Sequence, residues 1–266
     1  MIKSCRKHNI ASKTNEAGFT LVELMIALVV SGLVMAAVVS VYVAQSRSYS
    51  VQDDIANIQQ DLRGALVLLP SEIRQAGCDP EKSGAPGILD GPNRPAKNRF
   101  QFTMDIRGNA VNANSADGDI CDTGEYVGYG FAAGTDTNND GIVDNGGAAW
   151  SGTGSLGRQT GNACTLVFGG YDPLADNVEA IEFNYLIDND NNPSTPLVAT
   201  LTPANPNQIR AVQVSILARA ANPAQGFLNT STYTTASGVV WNPPDDNFRR
   251  RLVVTNIQLR NMGYSL

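Results

Sequence analysis

The apolar segment from Leu21 to Ala44 constrains the fold more than any other part of the chain. It contains a single charged side chain, Glu23. At about 1.5 Å of rise per residue, a helix of this length crosses the hydrocarbon core of a bilayer, which is about 30 Å thick. The segment therefore predicts a membrane-spanning helix over about residues 20–44. A carboxylate near the start of such a helix is costly to bury and marks a functional position.

A short basic leader precedes the apolar segment. Its positive side chains, which favour the cytoplasmic side of a membrane, are Lys3, Arg6, Lys7 and Lys13. An ordinary export signal is cleaved after its apolar segment, at small residues, and no such site follows Val43. We therefore expect cleavage before the segment, between Gly18 and Phe19. Residues 1–18 would be removed and the membrane span would stay.

The sequence around this junction carries a resemblance. Gly18-Phe19-Thr20-Leu21-Val22-Glu23, followed by an apolar helix, resembles the class III signal of type IV prepilins and type II secretion pseudopilins. The resemblance implies that a prepilin peptidase cleaves after Gly18 and methylates the amine of Phe19. It also implies that Glu23 pairs with the Phe19 ammonium of a neighbouring subunit during assembly. The alternative for Glu23 is a carboxylate that snorkels from a plain membrane anchor.

The pairing of Glu23 has a physical basis that is independent of the family. Opposite charges in a medium of low dielectric attract strongly, but each charge also loses its hydration. Only a well-placed partner offsets that loss, so we interpret Glu23 as a device that sets the register between subunits.

The apolar segment continues into an amphipathic helix. Apolar residues recur at spacings of three and four, which is typical of one buried helical face, at Ile55, Ile58, Leu62, Leu66, Leu69 and Ile73. We predict one helix over residues 19–77, amphipathic from 45 to 77. Pro70 predicts a bend or an early end, and Gly77 ends the helix because Asp79-Pro80 prevents its continuation.

Short strands follow the helix. Apolar and polar residues alternate, which gives each strand one buried face, around Phe100, Val127, Ile181, Val212 and Leu252. The helical stripe is the surface against which that face packs. We predict an α+β fold of the type IV pilin kind, with a long N-terminal helix under an antiparallel β-sheet head of residues 78–266. Long loops occupy a variable region of about residues 83–161, where subunit-specific function is expected.

Two later strands sharpen the resemblance. Asn177 to Tyr185 and Ile209 to Ile216 look like the PilW group of minor pilins and the J-like pseudopilins. This implies a minor pilin that helps to initiate, assemble or cap a type IV pilus used in twitching, adhesion or DNA uptake. The implied partners are major and minor pilins, the prepilin peptidase, the inner-membrane assembly platform and membrane lipid. The head would lie in the periplasm and, after assembly, at the cell surface. The alternatives are a type II secretion pseudopilin and a membrane-tethered, calcium-dependent adhesin.

Charge and composition exclude several functions. Removal of the leader's four basic residues and Glu16 leaves 15 basic and 24 acidic residues, a formal charge of −9. An acidic chain is not expected to bind nucleic acid. The single histidine, His8, lies in the leader, so the processed chain lacks Ser-His-Asp and Cys-His catalysis. We predict that the chain is not an enzyme.

A calcium loop is the strongest chemical motif of the head. Asp136, Asn138, Asp140 and Asp144 stand at positions one, three, five and nine of an EF-hand-type loop, with Gly141 at six and the carbonyl of Ile142 at seven. Gly147 replaces the acid at position twelve, so another loop would have to supply the last ligands. A poorer candidate begins at Asp188. Both stretches also fit plain Asx turns.

Three cysteines of the processed chain are candidates for a disulfide. Cys78, Cys121 and Cys164 would reach an oxidising compartment, which favours a disulfide. We predict the pair Cys121–Cys164, while Cys78 is buried at the helix end or pairs instead.

The run Arg249-Arg250-Arg251 is interpreted as a solvated strand end that faces acidic neighbours rather than as a DNA-binding patch.

Overall fold

The computed structural model describes residues 18–90, 94–108, 115–161 and 170–263. The chain forms two compact units, Met1–Tyr49 and Ser50–Leu266. One long helix, α1, spans Leu21–Ile73. The strands are β1 (Arg99–Thr103), β2 (Tyr126–Phe131), β3 (Gly154–Gly161), β4 (Asp172–Ile187), β5 (Val198–Thr200), β6 (Ile209–Arg219), β7 (Tyr233–Thr234), β8 (Val240–Trp241) and β9 (Arg250–Gln258). The predicted α+β fold is confirmed.

The first unit is an exposed apolar helix. Within the described residues, α1 is the one helix that is long and apolar enough to cross a membrane. Its apolar first half is not buried within the chain. Two serine hydroxyls within it are satisfied by the helix itself, because Ser31 and Ser40 donate to the carbonyls of Leu28 and Ala37. This surface requires lipid or other apolar helices as its environment.

The second unit has its core between α1 and the sheet. The buried helical residues are Ile58, Leu62, Ala65, Leu69 and Ile73. They share one apolar cluster with Phe100, Tyr129, Phe183 and Ile216 of the sheet. The predicted stripe is thus the packed face, except that Ile55 is 41% exposed. Burial of this apolar area is the main contribution to the stability of the unit.

The helix ends earlier than its sequence predicts. Pro70 lies inside α1, and α-helical structure ends three residues later at Ile73. A tighter turn follows, in which the amides of Gln75 and Ala76 donate to carbonyls three residues before them. Gly77, with φ at +72°, then turns the chain away. The expected end at Gly77 is therefore the end of this turn and not of the α-helix.

The main sheet is antiparallel. Its strand order is β1-β2-β3-β4-β6-β9, and β5 pairs with the end of β4. The hairpin of β7 and β8 forms a separate small sheet. Trp241 of that hairpin packs with Ala180 and Leu217 in a second apolar cluster. Because Ala180 and Leu217 alternate with residues of the main core, this cluster covers the sheet face opposite α1.

The central part of the chain is more regular than predicted. The sequence indicated two strands within the variable region of residues 83–161. The structure contains three, because β3 (Gly154–Gly161) pairs with β2 on one side and β4 on the other. The variable region therefore supplies half of the six strands in the linear order of the sheet.

A polar contact fixes the last turns of α1 to the sheet. Arg158 of β3 donates to both carboxylate oxygens of Glu72, at 2.8 and 2.6 Å. The hydroxyl of Tyr129 in β2 donates to the same carboxylate. Burial, and then the hydrogen bond to Glu72, raise the pKa of Tyr129 well above its ordinary value. Tyr129 therefore remains a protonated donor at any physiological pH.

Candidate functional site: helix start and head loops

The start of α1 is a reciprocal capping arrangement. The Glu23 carboxylate accepts hydrogen bonds from the backbone N–H of Thr20, at 2.8 Å, and from the Thr20 hydroxyl, at 2.9 Å. The backbone N–H of Glu23 donates in turn to the Thr20 hydroxyl oxygen, at 3.2 Å. This is a capping box, in which residues three apart satisfy helical N–H groups that have no partner within the helix. Glu23 therefore helps to begin the helix, in addition to the pairing role predicted for it.

The capping box was readable from the sequence. Thr20 and Glu23 have the spacing of the motif and stand directly before an apolar run. The cap is a role of Glu23 beyond the two predicted for it, which are pairing with a neighbour and snorkelling from a membrane anchor. Phe19, beside this cap, is 92% exposed, and open space surrounds Gly18. The predicted cleavage junction is therefore accessible on the described part of the chain.

The predicted calcium loop, residues 136–144, begins at a well-bonded carboxylate. Asp136 accepts from the backbone amides of Asp140, at 3.0 Å, and Gly141, at 2.8 Å. The side-chain amide of Asn98 also donates to Asp136, at 2.9 Å. Asp136 is 9% exposed. These hydrogen bonds close the loop around the Asp136 carboxylate and connect the loop to Asn98, the residue before β1.

The other end of the loop is closed by Asp144. One carboxylate oxygen accepts from the amides of Thr137 and Gly146, and the other accepts from the amide and hydroxyl of Thr137. These donors, with the Gly146 amide first, hold the pKa of Asp144 below its ordinary value. Both oxygens are occupied by donors, so Asp144 fits a structural role better than the role of a metal ligand.

The middle of the loop is also hydrogen-bonded within itself. The Asn138 side chain accepts from the amide of Asp140, at 2.9 Å, and donates to one Asp140 oxygen, at 3.1 Å, while the other Asp140 oxygen accepts from the amide of Ile142, at 2.8 Å. The structure therefore gathers the predicted residues into one turn, in which the carboxylate oxygens of Asp136 and Asp140, like those of Asp144, already accept donors. This donor set fits calcium incompletely, and calcium binding by the loop stays a prediction of the sequence.

Addition of calcium tests this prediction with one conservative variant. About 10 mM calcium should raise the Tm of the full chain in neutral detergent by about 3–6 °C, if the dissociation constant is about 1 mM. Asp140→Asn keeps the acceptor for the Ile142 amide but loses a charge, so its shift should be smaller than about 1 °C. EGTA should reverse the shift. No response of the parent chain to calcium would contradict the prediction.

Gly141 joins the loop to the sheet. Its φ is +80°, and its carbonyl accepts from the backbone N–H of Ile181 in β4, at 2.8 Å. The neighbouring amide of Val143 donates to the carbonyl of Glu179, at 2.9 Å. A Cβ atom at Gly141 would lie 2.3 Å from the carbonyl oxygen of Ile181. The glycine is thus required by close packing against β4, whatever the loop binds.

The second loop is a series of Asx turns. The side chains of Asp188, Asp190 and Asn192 each accept from the amide two residues further on. Asp188 also lies 3.8 Å from Arg210 in an ion pair. A cation at Asp188 would compete with that guanidinium, so this loop fits calcium less well than the first.

A further acidic group lies on another loop. The carboxylates of Asp117, Asp119 and Asp122 lie within 4.8 Å of one another. Burial, and then the charges of the neighbouring aspartates, raise the pKa of Asp122. The spacing of these residues was visible in the sequence, but it matches no loop motif. Exposed acidic groups of this kind are common without a metal ion.

The cysteines are only partly described. Cys121 is disulfide-bonded, and Cys78 is a free, half-buried thiol. The predicted partner of Cys121, Cys164, lies outside the described residues. Burial, and then the charges of Asp105 and Asp79, raise the pKa of Cys78. The pair Cys121–Cys164 stays a prediction, while the alternative that Cys78 forms the disulfide is contradicted by the free thiol.

The arginine run was interpreted incorrectly in one respect. Arg249 pairs with Asp54 at 3.4 Å, as expected for acidic neighbours. Arg250 is not solvated, because its side chain is 1% exposed and pairs with Glu179 and Asp246. A buried, doubly paired guanidinium is structural and is not available to a nucleic acid. Of the three residues, only Arg251 is exposed.

Comparisons with known proteins give two family-model matches and a similar solved structure. Residues 13–39 match the family model of the prokaryotic N-terminal methylation motif, and residues 133–261 match that of type IV pilus-assembly protein W. A type IV-like pilin from Thermus thermophilus is similar in structure, with a TM-score of 0.40 and 16% identity over 80% of this chain and 97% of that chain. No curated protein sequence matches the chain.

The methylation motif, the exposed apolar helix that follows it and the antiparallel sheet packed on residues 58–73 define a type IV pilin with a prepilin signal. The match to the assembly-protein model covers residues 133–261, just under half of the chain. That part of the chain is similar to the PilW family of type IV pilus-assembly proteins.

Proposed function

We propose that this chain is a minor subunit of a type IV pilus that helps to initiate, assemble or cap the filament. The observation that carries the proposal is the exposed apolar helix whose start, at Thr20 and Glu23, lies within the matched methylation motif. Such a helix needs apolar neighbours, and a bundle of like helices supplies them when it leaves the membrane. Heterologous packing of identical or similar helices produces an open filament.

The description of the matched family as an assembly protein supports a role in building the filament rather than in forming its shaft. The head also presents an open edge to neighbouring subunits. Strand β9 pairs only with β6 among the described strands, and Val254 on it is 49% exposed. In this proposal the chain acts by contacts and catalyses no reaction.

Processing is part of the same proposal. A prepilin peptidase would remove residues 1–18 and methylate the amine of Phe19, leaving the apolar helix as anchor. The chain would first lie in the inner membrane with its head in the periplasm, beside the assembly platform and other pilins. After assembly the head would lie at the cell surface.

Deletion of the gene tests the proposal against the secretion alternative. Most surface filaments should be lost in the deletion strain, and the full chain supplied in trans should restore them. Export of type II secretion substrates should remain unchanged. Normal filaments together with failed secretion would contradict the proposal and favour a pseudopilin. Normal filaments with loss of calcium-dependent attachment would contradict it as well and favour a tethered adhesin.

A further inference from the structure

A pocket of about 550 Å³ lies at one end of the main sheet. The antiparallel register places Leu186 of β4, Ala211 of β6 and Gln258 of β9 in one row across three neighbouring strands. Asn256 stands two residues before Gln258 and therefore points to the same face of the sheet. The pocket thus combines a small apolar floor with two side-chain amides.

Three arginines line this pocket. Arg74 directly follows α1, Arg210 lies near the start of β6, and Arg260 follows β9. No carboxylate is among the described residues that line it. The chain as a whole carries six more acidic than basic residues. A concentration of guanidinium groups around a concave surface of such an acidic protein is a specific feature and does not follow from its composition.

Arg210 is held firmly in position. Its guanidinium donates to the carbonyl of Asn207 at 2.7 Å, and it lies 3.8 Å from the Asp188 carboxylate. The Asp188 side chain is only 1% exposed. Asp188 therefore balances part of the charge of Arg210, while the other two arginines keep the pocket positive.

Arg74 and Arg260 have fixed backbones and available side chains. The backbone N–H of Arg260 donates to the carbonyl of Arg74 at 3.4 Å. The neighbouring Asn261 side chain donates to the carbonyl of Gln75 at 3.3 Å. Within the part of the chain that the structure describes, neither guanidinium makes a hydrogen bond or an ion pair. Their N–H groups are thus free to bind a ligand.

We propose that this pocket binds an anion through phosphate or carboxylate oxygens. A guanidinium presents a planar set of N–H donors that matches two oxygens of such a group. The guanidinium groups of Arg74 and Arg260 and the amides of Asn256 and Gln258 supply more donors than one oxyanion requires, and Arg210 adds positive charge. The volume admits a ligand larger than a phosphate ion, and Leu186 contacts its uncharged part. The proposal does not depend on a role in the pilus.

Calorimetric titration of the full chain in neutral detergent tests the proposal. Inorganic phosphate and citrate are titrated separately at constant ionic strength, and each should bind saturably and displace the other. Arg74→Gln and Arg260→Gln should each weaken binding at least about tenfold. The matched control is Arg251→Gln, which removes the same charge from an exposed position on β9 outside the pocket and should change affinity less than about twofold.

The two probes also distinguish the source of the oxygens. A clear preference for phosphate indicates a phosphorylated ligand, and a clear preference for citrate indicates a polycarboxylate. Both results support the site if the pocket variants weaken binding. Absence of saturable binding by either anion would overturn the proposal. Equal weakening by Arg251→Gln and Arg260→Gln would also overturn it, since overall charge would then explain the binding.

Discussion

Replacement of Glu23 by glutamine should reduce the amount of this chain in sheared filaments at least about tenfold, while its amount in the membrane stays unchanged. Glutamine retains the capping box, because its side-chain oxygen accepts the same bonds from Thr20. It loses the charge that would pair with the Phe19 ammonium of a neighbour. Loss of one partner of a buried ion pair costs about 3–5 kcal/mol, and about 1.4 kcal/mol already corresponds to tenfold.

A second variant separates the two roles of Glu23. Thr20→Ala removes the hydroxyl from the cap and leaves the carboxylate in place, so filaments should still contain this variant. Immunoblots of sheared filaments and of membranes measure both amounts. Normal incorporation of Glu23→Gln together with poor incorporation of Thr20→Ala would show that the residue acts through helix capping alone. The pairing hypothesis would then be wrong.

Replacement of Gly141 by alanine should lower the stability of the second unit by at least about 3 kcal/mol, or about 6–12 °C in Tm. The new Cβ would lie 2.3 Å from the Ile181 carbonyl oxygen, which is backbone in the middle of β4 and cannot move freely. The positive φ of +80° adds strain for any residue that has a Cβ.

Gly134→Ala is the matched control. Gly134 has a similar φ of +85°, but no atom lies within 4 Å of its Cβ position. This variant should therefore lose only about 1 kcal/mol from backbone strain, or about 2–4 °C in Tm. Thermal unfolding of the full chain in detergent, followed by near-ultraviolet circular dichroism, measures both. Equal losses would mean that backbone strain is the whole effect and that the approach to β4 is not tight.

The sequence predicts the helix and the strands in which the spacing of apolar residues reflects packing of one face against the neighbouring layer of the fold. The stripe of Ile58, Leu62 and Leu69 has a helical period because one sheet covers it. The strand from Ile209 to Arg219 alternates because its two faces meet different surroundings. In both cases the order of residues reflects the layer that each face contacts, and the α+β fold is predicted from it.

Strand β3 has no such pattern. At two of its glycines, side chains from other segments occupy the position that a Cβ atom would take. A Cβ at Gly157 would lie 2.4 Å from that of Tyr171, and one at Gly154 would lie 2.4 Å from the Thr135 methyl group. Glycine ordinarily weakens a strand. The strand forms here because its glycines pack against residues distant in sequence, so local periodicity does not predict β3.

The candidate sites divide in the same way. The prepilin junction and the cap at Thr20 and Glu23 are local motifs and can be read from the sequence. The burial of Arg250 depends on Glu179, which stands 71 positions earlier in the chain. The arginine pocket takes its three arginines from three segments that lie far apart in the sequence. Spacing within the sequence does not indicate either of them.

The contact between Glu72, Arg158 and Tyr129 has a mechanical consequence for a subunit of a fibre. A tensile load on residues 58–73 of the helix acts in shear on their apolar interface with the sheet, so that many contacts resist it together. The bidentate bridge to Arg158 stands at the far end of this interface and opposes sliding of the helix. A pull along the helix axis therefore meets more resistance than a peeling force at one end.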